Sequence, residues 1–85
     1  MDKHTKKILE KLAFADLRGS ELRVALFIAS KSRQIRLSEI EEALNLHKTN
    51  ASRICNKLYR DGILKKFVIR SEKHAIPLYS FNYQF

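Results

Sequence analysis

Residues 37–64 read LSEIEEALNLHKTNASRICNKLYRDGIL, and their spacing decides the fold. Two short helices joined by a tight corner account for it. Ser38 with Glu41 three residues later has the form of a capping box, which starts the first helix, and Ile40, Ala43 and Leu44 form its inner face. Asn45-Leu46-His47 makes the corner. Asn tolerates a left-handed φ, Leu46 plugs the gap between the helices, and His47 stands where a cap is wanted. The second helix spans Lys48 to Asp61, Gly62 stops it, and Ile63-Leu64 lead into alternating sequence.

At about 100° per residue, Ala51, Ile54, Cys55 and Leu58 of the second helix share one sector, the i, i+3, i+4, i+7 pattern of a buried stripe. Thr49, Arg53, Asn56 and Arg60 stand opposite, flanked by Asn50, Ser52 and Lys57. Arg suits guanine, Asn adenine, Thr a thymine methyl, and Lys and Arg neutralise phosphates. The plain alternative is an ordinary solvated face. Against it stands the absence of any acid before Asp61, beside a preceding helix that holds Glu39, Glu41 and Glu42. A helix-turn-helix followed by a basic hairpin is shaped for the major groove of DNA.

Working outward, Met1–Phe14 places Ile8, Leu9 and Leu12 among lysines, an amphipathic helix that Ala13–Arg18 either extends or bends. It can cover the core or serve as a dimer handle. Gly19 punctuates the chain and Ser20 can cap a helix over Glu21–Ser30. Leu22, Ala25, Leu26, Ile28 and Ala29 make that helix the most buried element. Gln34–Leu37 can form a brief strand that pairs with the hairpin. Lys65–Arg70 and Ala75–Phe85 read as the hairpin strands around a polar tip, Ser71–His74. Pro77 belongs at a strand start or on an open edge. Tyr79, Phe81, Tyr83 and Phe85 share one face by their period of two. Tyr79 and Phe81 cover the core, whereas Tyr83 and Phe85 reach past it toward a possible subunit interface.

Eighty-five residues fit one domain. We expect an α+β winged arrangement: an N-terminal helix over 1–18, a three-helix core over 20–64 with its helix-turn-helix at 38–61, and a wing and final strand over 65–85. Of the net charge of +8, residues 46–85 contribute +6, from eight basic groups against Asp61 and Glu72. Such a footprint gives salt-dependent affinity for nucleic acid. The longest apolar run, Val24–Ala29, is too short for a membrane span or a secretory leader, so no membrane partner and a cytoplasmic, nucleoid-associated location are expected. A lone cysteine makes no internal disulfide, and Cys55 falls on the inward stripe as a small core residue. His4, His47, His74 and Cys55 are too dispersed for a metal site. The two glycines form no phosphate loop, and a core this small encloses no substrate. No catalytic residue, metal, cofactor or small-molecule ligand is expected, and the chain does not read as an enzyme.

The sequence resembles winged helix-turn-helix domains of small prokaryotic, archaeal and archaeal-virus transcription regulators, with MarR-like, ArsR-like and PadR-like groups equally close. The resemblance rests on Leu37-Ser38-Glu39-Ile40, Ala43-Leu44-Asn45-Leu46, Thr49-x-x-Ser52-Arg53-Ile54-x-x-x-Leu58-x-x-x-Gly62-Ile63-Leu64 and Pro77-Leu78-Tyr79-Ser80-Phe81, within residues 20–82. It implies base contacts from Lys48, Thr49, Asn50, Ser52, Arg53 and Asn56. It implies backbone contacts from Arg36, Ser38, Lys57 and Arg60, and wing contacts from Arg70, Lys73 and His74. His47 departs from the usual Ser or Thr cap. The long terminal helices of many MarR-like dimers have no counterpart. A Z-form nucleic-acid reader shares the fold, but its characteristic Asn and Tyr positions hold Ser52 and Asn56 here.

The expected function is therefore a sequence-specific, double-stranded-DNA-binding transcriptional regulator. The expected assembly is a homodimer, through the first helix, Tyr83-Phe85, or both. A protein-interaction module of transcription or replication machinery and a non-specific architectural DNA binder are the alternatives.

Overall fold

The computed structural model describes residues 3–13, 15, 17 and 19–83. Ala51, Ile54, Cys55 and Leu58, all at 3% exposure or less, form the inward stripe of the helix Lys48–Arg60 and fix how every other element is laid down. The order is α1 (Lys3–Ala13), α2 (Gly19–Lys31), β1 (Ile35–Arg36), α3 (Leu37–Leu44), α4 (Lys48–Arg60), β2 (Leu64–Arg70) and β3 (Ala75–Phe81). The strands form one antiparallel sheet in the order β1-β3-β2. This is a winged helix-turn-helix, α+β as the sequence implies.

α2 lies at the centre and contributes Val24, Ala25, Ile28 and Ala29 to a single core cluster with Ile40, Ile54, Leu58, Tyr79 and Phe81. Two expected inner residues are not inside. Leu26 is 41% exposed while Val24 is fully buried, because the buried stripe of α2 runs through 24, 25, 28 and 29. Ala43 is exposed, because the eight residues of α3 turn Leu37, Ile40 and Leu44 to the core instead.

The corner forms as its residues dictate. Asn45 takes the left-handed conformation at φ 54° and ψ 51°, and its N–H, like that of Leu46, returns to the Glu41 carbonyl. His47 is the N-cap of α4, its Nδ1 accepting from the Thr49 N–H at 3.2 Å. α4 then ends in a Schellman turn. Gly62 at φ +79° donates its N–H to Tyr59, and Ile63 donates to Leu58 at 2.9 Å. The capping box is not formed. Arg36 precedes α3 with no side-chain cap, so Ser38 falls inside the first turn. Glu39 takes over part of that work: its carboxyl is held below the usual carboxylate range first by the hydrogen bond from Arg33 and in smaller part by the Arg36 N–H.

β2 and β3 pair over their whole length, from Leu64 opposite Phe81 to Arg70 opposite Ala75, which makes the wing. Pro77 falls inside β3, the central strand, and not at its start. β1 reaches only Tyr79 and Leu78, so beyond them β3 is open on that side and a residue without an N–H is accommodated. β2 is an outer strand carrying exposed Phe67, Val68 and Ile69.

The two expected dimer handles meet each other. Leu12 of α1 is buried, and the Lys11 ammonium donates to the Asn82 carbonyl at 2.6 Å. His4 stacks on Tyr83 at 4.6 Å between ring centroids. Tyr83 also rests on Phe81 at 5.1 Å and donates its hydroxyl to the Ala29 carbonyl at 3.1 Å, so it belongs to its own fold. Phe85 lies outside the described residues, as does Arg18. Of α1, Leu9 stays 43% exposed. Among the described residues no helix is long and apolar enough to cross a membrane.

Candidate nucleic-acid interface

With its apolar stripe anchored, α4 can only turn its opposite side outward. Lys48, Thr49, Asn50, Arg53 and Arg60 are exposed, and Ser52, Asn56 and Lys57 are half-buried. Neither Arg53 nor Arg60 has an ion pair or hydrogen bond among the described residues. Arg70, Lys73 and His74 are exposed around the wing tip, whose turn is closed by the Ser71 N–H donating to the His74 carbonyl at 2.9 Å. Arg36 and Ser38 are exposed at the start of α3.

Lys57 behaves differently from its neighbours. Its ammonium bridges Asp61 at 3.0 Å and Glu21 of α2 at 3.3 Å. The hydrogen bond it donates to Asp61, and then the one it donates to Glu21, raise its pKa above the usual lysine value. A lysine held by two carboxylates offers a phosphate less than its formal charge suggests, which weakens the backbone role expected for it.

The structure gathers Arg53, Asn56 and Arg60 with two residues not singled out from the sequence, Tyr59 and Lys66, around an open hollow of ≈ 440 Å³. Lys66 comes from β2. It follows buried Leu64 by two, so strand alternation turns it toward the same face, and a lysine on an inward position was the legible signal. Its ammonium donates to Asn56 Oδ1 at 3.1 Å and lies 5.9 Å from the Tyr59 ring centroid and 5.8 Å from that of Tyr79. The Tyr79 hydroxyl donates to the same Asn56 oxygen at 3.3 Å. Burial raises the Tyr79 pKa, so this donor stays protonated. A bidentate adenine contact needs that oxygen as an acceptor, so the expected adenine-reading role of Asn56 does not match this geometry.

Burial pushes the Cys55 thiol up to about 12, in keeping with an inert core residue. Among the described residues no three His, Cys, Asp or Glu side chains gather closely enough to hold a metal.

The sequence matches no protein-family model and no curated protein. Solved structures do resemble it. A possible transcriptional regulator from Methanosarcina mazei superposes with a TM-score of 0.72 at 16% identity, over 91% of this chain and 64% of its own. The apo form of wild-type MarR from E. coli superposes with a TM-score of 0.65 at 18% identity, over 93% of this chain and 57% of its own. HlyU from Vibrio cholerae superposes with a TM-score of 0.58 at 16% identity, over 96% of this chain and 82% of its own. The present chain thus spans under two thirds of the first two. At these identities the likeness is one of fold.

Proposed function

We propose that the chain is a sequence-specific regulator of transcription that binds double-stranded DNA, with α4 in the major groove and the wing on the adjacent backbone or minor groove. One observation carries this reading: the outward side of α4 bears Thr49, Arg53 and Arg60, and no carboxylate of the described chain partners either arginine. Two of the similar structures, the possible transcriptional regulator from Methanosarcina mazei and MarR, support it through fold alone. Lys48, Thr49, Asn50, Ser52 and Arg53 are the proposed base-reading set, with Arg60, Arg70, Lys73 and His74 on the backbone and Arg36 and Ser38 as outer contacts.

α4 has 13 residues and is about 20 Å long, so one copy covers a short site. We therefore read the active species as a pair of copies on an inverted repeat, about 34 Å apart along the duplex. Selection from random duplexes, with the protein's mass in solution measured alongside, tests both parts. The expected result is an enriched motif with two-fold symmetry and a dimer mass. Retained duplexes without a motif would mark an architectural binder.

A second reading has its own observation. Phe67, Val68 and Ile69 leave apolar surface on the outer strand of the wing, which suits contact with another protein. On that reading the chain is an interaction module, and no duplex shifts in a gel at moderate salt.

A further inference from the structure

Lysine has three donors and no acceptor, so the Asn56 amide atom that faces Lys66 has to be its oxygen. With the Tyr79 hydroxyl donating to the same atom, that oxygen is occupied twice, and the Asn56 amide nitrogen has no partner among the described residues. The hollow that Asn56 lines is completed by Arg53, Tyr59, Arg60 and Lys66, three of them cationic. Apart from the Tyr59 hydroxyl, every polar side-chain group free to act there is a donor. The Lys66 ammonium lies within cation–π reach of both the Tyr59 and Tyr79 rings and donates to Asn56, contacts that favour its place at the hollow. The nearest acid in sequence, Asp61, is drawn off to Lys57 and does not line the hollow.

We propose that this hollow between α4 and β2 is a seat for one phosphate group, held by Asn56, Arg60 and Lys66 and supplied by the strand whose groove α4 enters. A surface of donors and positive charge fits a ligand made of acceptors and negative charge, and a base edge, which alternates donors and acceptors, fits it poorly. The strand as the source rests on the proposed function; the phosphate chemistry does not. Asn56 then positions the backbone instead of reading a base, and sequence reading falls to the first half of α4, up to Arg53.

The test joins two measurements on the full chain. In the first, Lys66→Met and Arg60→Gln are compared with the unaltered protein for duplex affinity across a salt series, after circular dichroism confirms that each folds. Each variant is expected to lose about one phosphate contact, which lowers the slope of log affinity against log salt by about 0.9 and leaves the ranking of duplex sequences unchanged. An unaltered slope, or a reordered ranking, would overturn the seat. In the second, the Asn56 side-chain amide resonance of the unaltered protein is followed with duplex and with inorganic phosphate, at matched ionic strength. A shift with duplex supports the proposal. Duplex binding that leaves Asn56 unmoved overturns the seat while the regulator reading stands. A shift with phosphate in a protein that ignores duplexes upholds the phosphate chemistry and overturns both the strand as its source and the regulator reading. No shift with either overturns the seat.

Discussion

Helices α3 and α4 are three residues apart, and each lays an apolar stripe on the same core, yet their charges are treated differently. α3 carries Glu39, Glu41 and Glu42, and Glu39 is tied to Arg33 at 2.7 Å. The hydrogen bond from Arg33 is the main reason its carboxyl is held below the usual carboxylate range. α4 carries Lys48, Arg53, Lys57 and Arg60, and among the described residues only Lys57 is paired, both its partners being carboxylates. The fold thus neutralises charge where α4 meets α2 and leaves it open where α4 faces out. Open charge on one helix face stabilises nothing within the chain, and under the proposed function it is there for the duplex.

That contrast depends on the stripe beneath, and removing part of it should have the largest effect. Leu58 is fully buried, so Leu58→Ala is expected to cost about 2–5 kcal/mol in a urea titration. A cost under about 1 kcal/mol would mean that α4 is not anchored as described. Next in size is Arg53→Ala, expected to lose about 1–3 kcal/mol on a selected site and to broaden base preference. Equal losses on selected and scrambled duplexes would remove Arg53 from the reading set.

The corner that aims α4 away from α3 gives a smaller effect. Asn45→Ala should destabilise by about 1–2 kcal/mol, because a Cβ without a local hydrogen-bonding group is costly at its left-handed φ, whereas Asn45→Gly should cost less. A larger loss for glycine than for alanine in thermal melts would contradict this account of the corner. Smallest is Lys57→Ala. Lys73→Ala on the wing should lower the salt slope of duplex binding by about 0.9, and Lys57→Ala by less than half as much, because Glu21 and Asp61 already neutralise Lys57. Equal slopes for the two variants would show that the internal bridges open on binding.

The helix-turn-helix was legible because its signals are local. The stripe from Ala51 to Leu58, Asn45 at the corner, His47 as cap and Gly62 as stop each act through neighbours in sequence, and all four appear as read. What escaped depends on contacts distant in sequence. Lys57 reads as a free cation until Glu21, 36 residues earlier, is found beside it. Asn56 reads as an adenine partner until Lys66 and Tyr79 are found on its oxygen. Tyr83 reads as surplus to the core until α1 folds over and His4 meets its ring. The local capping box failed for a related reason: Arg36 leaves a strand that only pairing with β3 creates, and α3 begins two residues earlier than Ser38 as a cap requires.

The most direct test of the outward face of α4 is a backbone amide map of the protein titrated with a selected duplex. The account predicts shifts concentrated at residues 48–53, 56 and 60 of α4, at 66 of β2 and at 70–74 of the wing, with the acidic helix α3 beyond its first turn unmoved. Shifts centred on Glu41, Glu42 and the exposed side of α2 around Leu26, with α4 silent, would contradict it.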